Sequence, residues 1–193
     1  MDTLSLFESP AEVFAEQPAK SSPPWVWFGY IFAFTFLVCE VLEEALELND
    51  SFNLIMLFIS LVGWIYWLFC IHRFHKILGE LSRHRYPITP SEAVGRHFIP
   101  FYNLVWVFKW SGQMSDYLNT RGRVKMVSGN VVGLLLLLGI LFRFFDTAIA
   151  LAWLFSVALY LSAKLRRHLE ALKPVLLPPP PDPSMWASKT AEP

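Results

Sequence analysis

Histidine, cysteine and carboxylate side chains could do chemistry in this 193-residue sequence, but few of them stand at useful spacings. His72 and His75 form a His-x-x-His pair, which can share a metal ion, yet no acidic residue or cysteine stands at a matching spacing to complete the site. Cys39 beside Glu40 is better explained as a small side chain facing lipid or core. No phosphate-binding loop and no ordered nucleophile, base and acid are present. The sequence therefore predicts no metal site, no cofactor, no catalytic residue and no enzyme.

Four glutamates form the other group with chemical potential. Glu40, Glu43, Glu44 and Glu47 recur at intervals of three and four, so a helix would hold them within about 100° of one another. We interpret them first as a solvated helix face above the lipid. The alternative is a candidate outer acidic site that attracts cations or a basic partner. Glu40 is a special case because a carboxylate inside an apolar slab is costly and tends to be functional.

The elements that must position these residues are apolar blocks. Apolar residues make up 54% of the chain and charged ones 17%, and about 17 to 25 mostly apolar residues suffice for a helix to cross a membrane. The sequence predicts an all-α integral membrane protein with four transmembrane helices in two hairpins, at about 25–41, 52–71, 124–142 and 147–163. Residues 1–22 form an N-terminal segment with a short helix, 23–173 the transmembrane domain, and 174–193 a proline-rich tail that is extended or disordered.

The basic residues indicate the orientation. Of the 16 lysines and arginines, Arg143 alone falls on the side opposite the termini, and basic residues concentrate on the cytoplasmic side. Both termini are therefore predicted to be cytoplasmic, with His72, His75 and His168 among the basic anchors at the inner rim. Cys39 and Cys70 would lie in opposite leaflets, too far apart for a disulfide.

The segment HFIPFYNLVWVFKW, residues 97–110, lies in the long inner connection. A helix at about 100–118 would place Phe101, Leu104, Val105 and Phe108 on one face, which predicts a helix lying in the membrane interface. Its interface residues would be Phe101, Tyr102, Trp106, Lys109 and Trp110. One alternative is a re-entrant dip, which requires protein around the broken backbone at Pro100. Another is a helix packed on the cytoplasmic ends of the bundle.

Small residues recur at four-residue intervals in the third and fourth predicted spans. Gly129 and Gly133 form G-x-x-x-G, and Ala148 and Ala152 repeat the spacing. Such rows let helix backbones approach closely within a membrane. We expect them to pack these two spans together, and a contact between copies of the chain is the alternative.

The central third of the chain carries a recognisable motif. A span ends in W-x-Y and H-R, and F-I-P-F-x-N-L follows; the residues are Trp64, Tyr66, His72, Arg73, Phe98, Ile99, Pro100, Phe101, Asn103 and Leu104. The approach YPITPSEAVG adds Pro90, Ala93 and Gly95. Residues 60–120 thereby resemble a family of small multi-span membrane proteins of unknown function from bacteria, cyanobacteria among them. The resemblance implies a protein of the bacterial cytoplasmic membrane, or of the thylakoid membrane in a cyanobacterium, and implies no activity.

These features together predict a non-enzymatic accessory or scaffold subunit of a larger membrane complex. Its partners would be membrane lipid and either other membrane protein subunits or further copies of itself, with Trp186 in the tail as a docking residue. The formal net charge of zero does not favour nucleic acid as a partner. The alternative is a homo-oligomeric pore or small transporter, with its seam at the glycine row and its outer mouth at the acidic stripe.

Overall fold

The computed structural model describes residues 19–46, 50–99, 101–120 and 125–176, and these residues form helices joined by turns, with no strand among them. The all-α prediction is therefore confirmed for the described part of the chain. A 3₁₀ turn occupies Arg96–Phe98. The six α-helices are α1 (Trp27–Leu46), α2 (Asp50–Leu81), α3 (Pro90–Gly95), α4 (Tyr102–Thr120), α5 (Gly129–Phe142) and α6 (Thr147–Leu176).

The segment before α1 is tied to the last turns of α2. The backbone N–H and the hydroxyl of Ser21 each donate a 2.8 Å hydrogen bond to the Glu80 carboxylate. Arg73 Nε donates to the carbonyl of Ser22 at 2.9 Å. These bonds hold residues 21–22 beside the C-terminal end of α2, so α1 and α2 run antiparallel.

A short connection joins α5 to α6, and the chain turns at Arg143–Asp146 as the sequence predicts. Asp146 caps α6, because its side-chain oxygen accepts a 2.8 Å hydrogen bond from the Ile149 backbone N–H. Higher up, Trp153 Nε1 donates to the carbonyl of Leu135 at 2.7 Å. The two helices therefore form an antiparallel hairpin fixed at both its turn and its middle.

The chain before α5 is extended, so the predicted third span at 124–142 begins too early. The Asn119 side chain brackets Met126, donating to its carbonyl at 3.3 Å and accepting from its N–H at 2.8 Å. Ser115 Oγ donates to the carbonyl of Val127 at 2.8 Å, and the Val127 N–H donates to the Tyr160 hydroxyl at 3.1 Å. Because side chains of α4 and α6 bind this backbone, it needs no helix to satisfy it.

The helices that contain the predicted spans at 52–71 and 147–163 are longer than those spans. Both helices continue, and the continuation of α2 is buried in the core through Phe74, Ile77, Leu78 and Leu81. The continuation of α6 buries Leu165 and Leu172 in the same way. The predicted N-terminal helix, Glu47, Pro100 and the tail with Trp186 lie outside the described residues.

The first two helices reach beyond the α5–α6 turn. Leu151 packs directly against Gly63, which places the start of α6 level with Ile59. Residues 50–56 of α2 and the adjoining residues 41–46 of α1 therefore project past that turn by about 10 Å, at 1.5 Å per residue. We call these two ranges the α1–α2 extension.

Much of the outer surface is apolar. Trp27, Phe34, Leu54 and Phe58 are all more than 60% exposed, and α5 also carries exposed apolar side chains along its length. Two helices, Phe52–Leu81 and Thr147–Leu172, are long and apolar enough to cross a membrane, whereas α5 has only 14 residues. An apolar surface of this extent is typical of proteins that contact a membrane or another protein.

Candidate functional site

The site is built around the turn between α3 and α4. Thr89 caps α3, with its hydroxyl accepting a 3.2 Å hydrogen bond from the Glu92 N–H, and Pro90 occupies the first helical position. Phe101 has a φ of 60°, in the left-handed region, and α4 begins at the next residue. The turn is stabilised locally, since the Asn103 N–H donates to the carbonyl of Ile99 at 3.2 Å. Broken backbone at this point is therefore bonded within the chain.

Helix α4 packs antiparallel along the side of α5. It does not cap the ends of the other helices. A Cβ placed on Gly129 would fall onto the backbone of Gly112 and Ser111, and a Cβ on Gly133 would meet Phe108. Ser111 Oγ also donates to the carbonyl of Gly129 at 2.9 Å. The contacts at Gly129 and Gly133 set the register between the two helices. This register places the α3–α4 turn at the C-terminal end of α5.

This register corrects the prediction for the glycine row. Gly129 and Gly133 pack α5 against α4, and they do not face α6. Ala148 is buried and Ala152 half-buried on α6, within the core. The close approach of α5 to α6 occurs instead at Gly139, where an added Cβ would meet Leu154.

The predicted membrane-interface residues divide into two groups. Phe101 is 86% exposed, Lys109 is exposed and Tyr102 is half-buried. Trp106 and Trp110 are both 0% exposed, so the prediction that these two contact lipid is wrong. They are enclosed because α4 uses that face to pack against the protein, and Trp106 Nε1 donates to the carbonyl of Ala93 in α3 at 3.1 Å.

Arg96 fastens the turn to the start of α4. Its guanidinium pairs with Glu92 one helical turn earlier and donates a 2.8 Å hydrogen bond to the Tyr102 hydroxyl. The same group lies over the Trp106 ring, 4.6 Å from the ring centroid. The charge of Arg96 is thus matched by a carboxylate, a hydroxyl and an aromatic face.

A cavity of about 270 Å³ lies where this turn meets α2, α5 and α6. Its lining is mainly apolar, with a small number of polar groups, as is usual for small-molecule sites. The polar or aromatic residues that line it are Trp64, Trp67, His97, Phe98, Asn103 and Arg143.

Two lining residues present hydrogen-bond acceptors. His97 Nδ1 lies 2.7 Å from the carbonyl of Ala93, and because a carbonyl only accepts, Nδ1 must carry the hydrogen. In the neutral ring Nε2 is then an acceptor, and it is buried without a hydrogen-bond partner. The side-chain oxygen of Asn103 is also buried without one. Unsatisfied buried groups are rare in folded proteins, so each of these atoms calls for a partner.

Two other residues that line the cavity carry hydrogen-bond donors. Trp64 Nε1–H is buried without an acceptor. The Arg143 guanidinium lies over the Trp64 ring, 4.8 Å from its centroid, and forms no ion pair with a carboxylate of the described residues. The cavity therefore combines a cation and a neutral donor with two acceptors.

The acidic stripe is partly accessible. Glu40 and Glu43 are half-buried and Glu44 is exposed at the end of α1. Glu40 interacts electrostatically with two other acidic residues, Asp146 and Glu43. No basic residue in the described part of the chain forms an ion pair with it. The candidate outer acidic site thus gains Asp146, a residue that the sequence pattern did not include.

The remaining cysteine and histidine candidates do not form a reactive or metal-binding group in the described residues. Cys39 and Cys70 are free thiols. No group of three or more metal-ligand side chains occurs within the part of the chain that the structure describes. His75 is buried, with ring centroids 5.5 Å from those of Tyr86 and Trp110, so it is not an exposed rim anchor. Burial raises the pKa of Tyr86 well above its ordinary value, which keeps this neighbour neutral.

The cavity was not predicted from the sequence, although several of its lining residues lie in the motifs described above. His97 and Asn103 are polar residues within an aromatic run, and that contrast was the available signal. Comparison of the chain with protein-family models, with curated proteins and with solved structures found no match.

Proposed function

We propose that this chain is a non-enzymatic accessory or scaffold subunit embedded in a bacterial cytoplasmic membrane. It crosses the membrane four times, through α1, α2, α5 and α6, with both termini in the cytoplasm. Lys20, Arg85 and Arg167 then share the cytoplasmic side, in agreement with the distribution of basic residues. The apolar surface of the helices faces lipid.

In this arrangement α3 and α4 form a re-entrant hairpin, because α4 runs alongside the spanning helix α5. Phe98, Ile99 and Phe101 at its turn are 69%, 49% and 86% exposed, and they extend the apolar surface. Broken backbone is tolerated at membrane depth only where protein satisfies it, and the N–H groups of Ile99, Asn103 and Leu104 form hydrogen bonds within the turn. This replaces the interfacial helix as our interpretation of residues 97–110.

The observation that carries the accessory role is the α1–α2 extension. Its residues Leu46, Leu54 and Ile55 are at least half exposed, and no described segment of the chain covers them. A spanning helix of a second subunit could pack there, within the membrane. The pore alternative has no comparable support, since Gly129 and Gly133, its expected seam, already pack against α4 in the same chain.

Accessibility to a membrane-impermeant maleimide tests the topology. In a Cys39→Ser, Cys70→Ala background, Arg85→Cys and Arg167→Cys should react only from the cytoplasmic side. Glu44→Cys should react only from the opposite side, because α1 separates it from the N-terminus. Phe101→Cys should react from neither side, since it lies at the re-entrant turn. Labelling of Glu44→Cys and Arg85→Cys from the same side would contradict four crossings.

Co-purification tests the accessory role. The 22.2 kDa chain, extracted from its native membrane in mild detergent, should run within a larger complex of constant composition. The triple variant Leu46→Ala, Leu54→Ala and Ile55→Ala should release the partner and leave the fold intact, because these side chains are 50–68% exposed.

Two comparisons complete that experiment. Leu134→Ala, which truncates a half-exposed residue of α5, is the matched control and should retain the partner. Trp186→Ala separates the predicted tail contact from the α1–α2 extension. A lone monomer from every membrane preparation would contradict an accessory role.

A further inference from the structure

We propose that the cavity at the α3–α4 turn binds the head of an anionic membrane lipid that also carries a hydroxyl group, as in phosphatidylglycerol. This inference rests on the membrane location given under the proposed function. It assigns to the chain a binding site separate from the α1–α2 extension.

The cavity has room for a lipid head and an open route for its chains. Its volume of about 270 Å³ lies just below the range of about 300–1,000 Å³ that is typical of small-molecule sites, so it accommodates a head and not a whole lipid. Phe98 lines the cavity and is 69% exposed at the apolar surface. Acyl chains of a bound lipid would leave past Phe98 and lie along Ile99 and Phe101, which are exposed beside it.

Arg143 and Trp64 supply the anionic end. Arg143 has no carboxylate partner among the described residues, and its guanidinium is held over the Trp64 ring. A guanidinium offers several N–H donors that match two oxygens of a phosphate. Trp64 Nε1–H adds a donor that is buried and unsatisfied. A lipid phosphodiester would give acceptors to both groups.

His97 and Asn103 supply the hydroxyl end. In the neutral ring, His97 Nε2 accepts while Nδ1–H donates to the carbonyl of Ala93, and Asn103 presents a buried oxygen. These atoms require a donor from the ligand, and a phosphate without hydroxyls has none to give. The terminal glycerol of phosphatidylglycerol carries two hydroxyls close to its phosphate. Phosphatidylcholine lacks such donors and would bring its cation towards Arg143, so it should bind less well.

Native mass spectrometry of the full chain in a zwitterionic detergent tests this assignment. The probes are phosphatidylglycerol, phosphatidylethanol and phosphatidylcholine with identical acyl chains, and soluble glycerol 3-phosphate. Phosphatidylglycerol should bind at least about tenfold more tightly than phosphatidylcholine. It should bind about fivefold or more tightly than phosphatidylethanol, which has the phosphodiester but no terminal hydroxyl.

Variants assign the two preferences to their residues. Arg143→Gln should reduce the preference over phosphatidylcholine to the part that depends on the hydroxyl groups, while Arg167→Gln, an exposed arginine of α6, should leave it unchanged. His97→Phe and Asn103→Leu should each remove the preference over phosphatidylethanol and lower that over phosphatidylcholine without abolishing it. Circular dichroism of each variant checks folding, and having two variants at the hydroxyl end protects the test if one of them fails to fold.

Three results would overturn the inference. They are equal binding of all three lipids by the parent chain, a preference over phosphatidylcholine that Arg143→Gln leaves unchanged, and binding of glycerol 3-phosphate as tight as that of the lipid. The last would identify a soluble ligand. Correct labelling topology together with any of these results would leave the proposed function standing and reject the lipid site alone.

Discussion

A methyl group added at position 129 should disrupt the fold, whereas a methyl group added at position 112, directly opposite, should not. In Gly129→Ala the new Cβ would coincide with the backbone of Gly112 and Ser111, so α4 and α5 must move apart. Overpacking of this kind costs about 1–3 kcal/mol and sometimes more. We expect the upper end of that range, because backbone cannot rotate out of the way as a side chain can.

Gly112→Ala is the matched control. Its Cβ would meet no atom within 4 Å, and alanine is about 0.5–1 kcal/mol better than glycine inside a helix. Thermal unfolding in detergent, followed by circular dichroism, should therefore rank Gly112→Ala at or above the parent and Gly129→Ala well below it. If the two variants unfold at the same temperature, α4 does not lie against α5 in the register described.

Truncation of Trp106 should cost about 3–5 kcal/mol of unfolding free energy, as is usual for a fully buried tryptophan. The ring is 0% exposed, it lies under the Arg96 guanidinium, and its N–H donates to the carbonyl of Ala93. Trp106→Ala thus removes packing, a cation–π contact and a hydrogen bond that ties α3 to α4. The contact between α3 and the start of α4 should lose its fixed structure first.

Phe101→Ala lies five residues away in the same aromatic run and provides the comparison. Its side chain is 86% exposed, so its removal should change the unfolding free energy by no more than about 0.5 kcal/mol. Hydrogen exchange of residues 90–110 reads both variants directly, with faster exchange expected for Trp106→Ala alone. Similar, small effects of the two substitutions would restore the original interpretation, in which both residues face lipid.

Apolar patterning predicted much of the helical content and little of the pairing between helices. The run GNVVGLLLLLGILF and its counterpart after Thr147 both form helices, and the turn between them falls where the charged residues stand. Helices α2 and α6 extend beyond the predicted spans, into turns that carry histidine, lysine and arginine. Those charged residues alternate with apolar ones that are buried, so the helices outlast the apolar run.

The partner of the glycine row could not be derived from its spacing. A G-x-x-x-G pattern marks a helix face that permits close approach, but any neighbouring helix can use that face. Gly112 in α4 supplies the actual partner, and it stands 17 residues before Gly129 in the polar half of the predicted interfacial helix. Ser111 and Ser115 explain that polarity, since their hydroxyls bind carbonyls of Gly129 and Val127.

The cavity was beyond reach of the sequence for a related reason. Trp64, His97, Asn103 and Arg143 are spread over 80 positions, and only the fold brings them together. A pattern within one segment showed that the residues near Asn103 were unusual. It could not show that Arg143, predicted on the far side of the membrane, lies next to them.

The difference in height between the two hairpins has a consequence for the surrounding bilayer. With 14 residues, α5 is about 21 Å long, whereas the hydrocarbon layer is about 30 Å thick. In the proposed four-span arrangement, lipids beside α5 must therefore shorten or tilt, and those beside the longer α2 need not. The protein would thin the membrane on one flank only, and this asymmetry would make a thin bilayer its preferred environment.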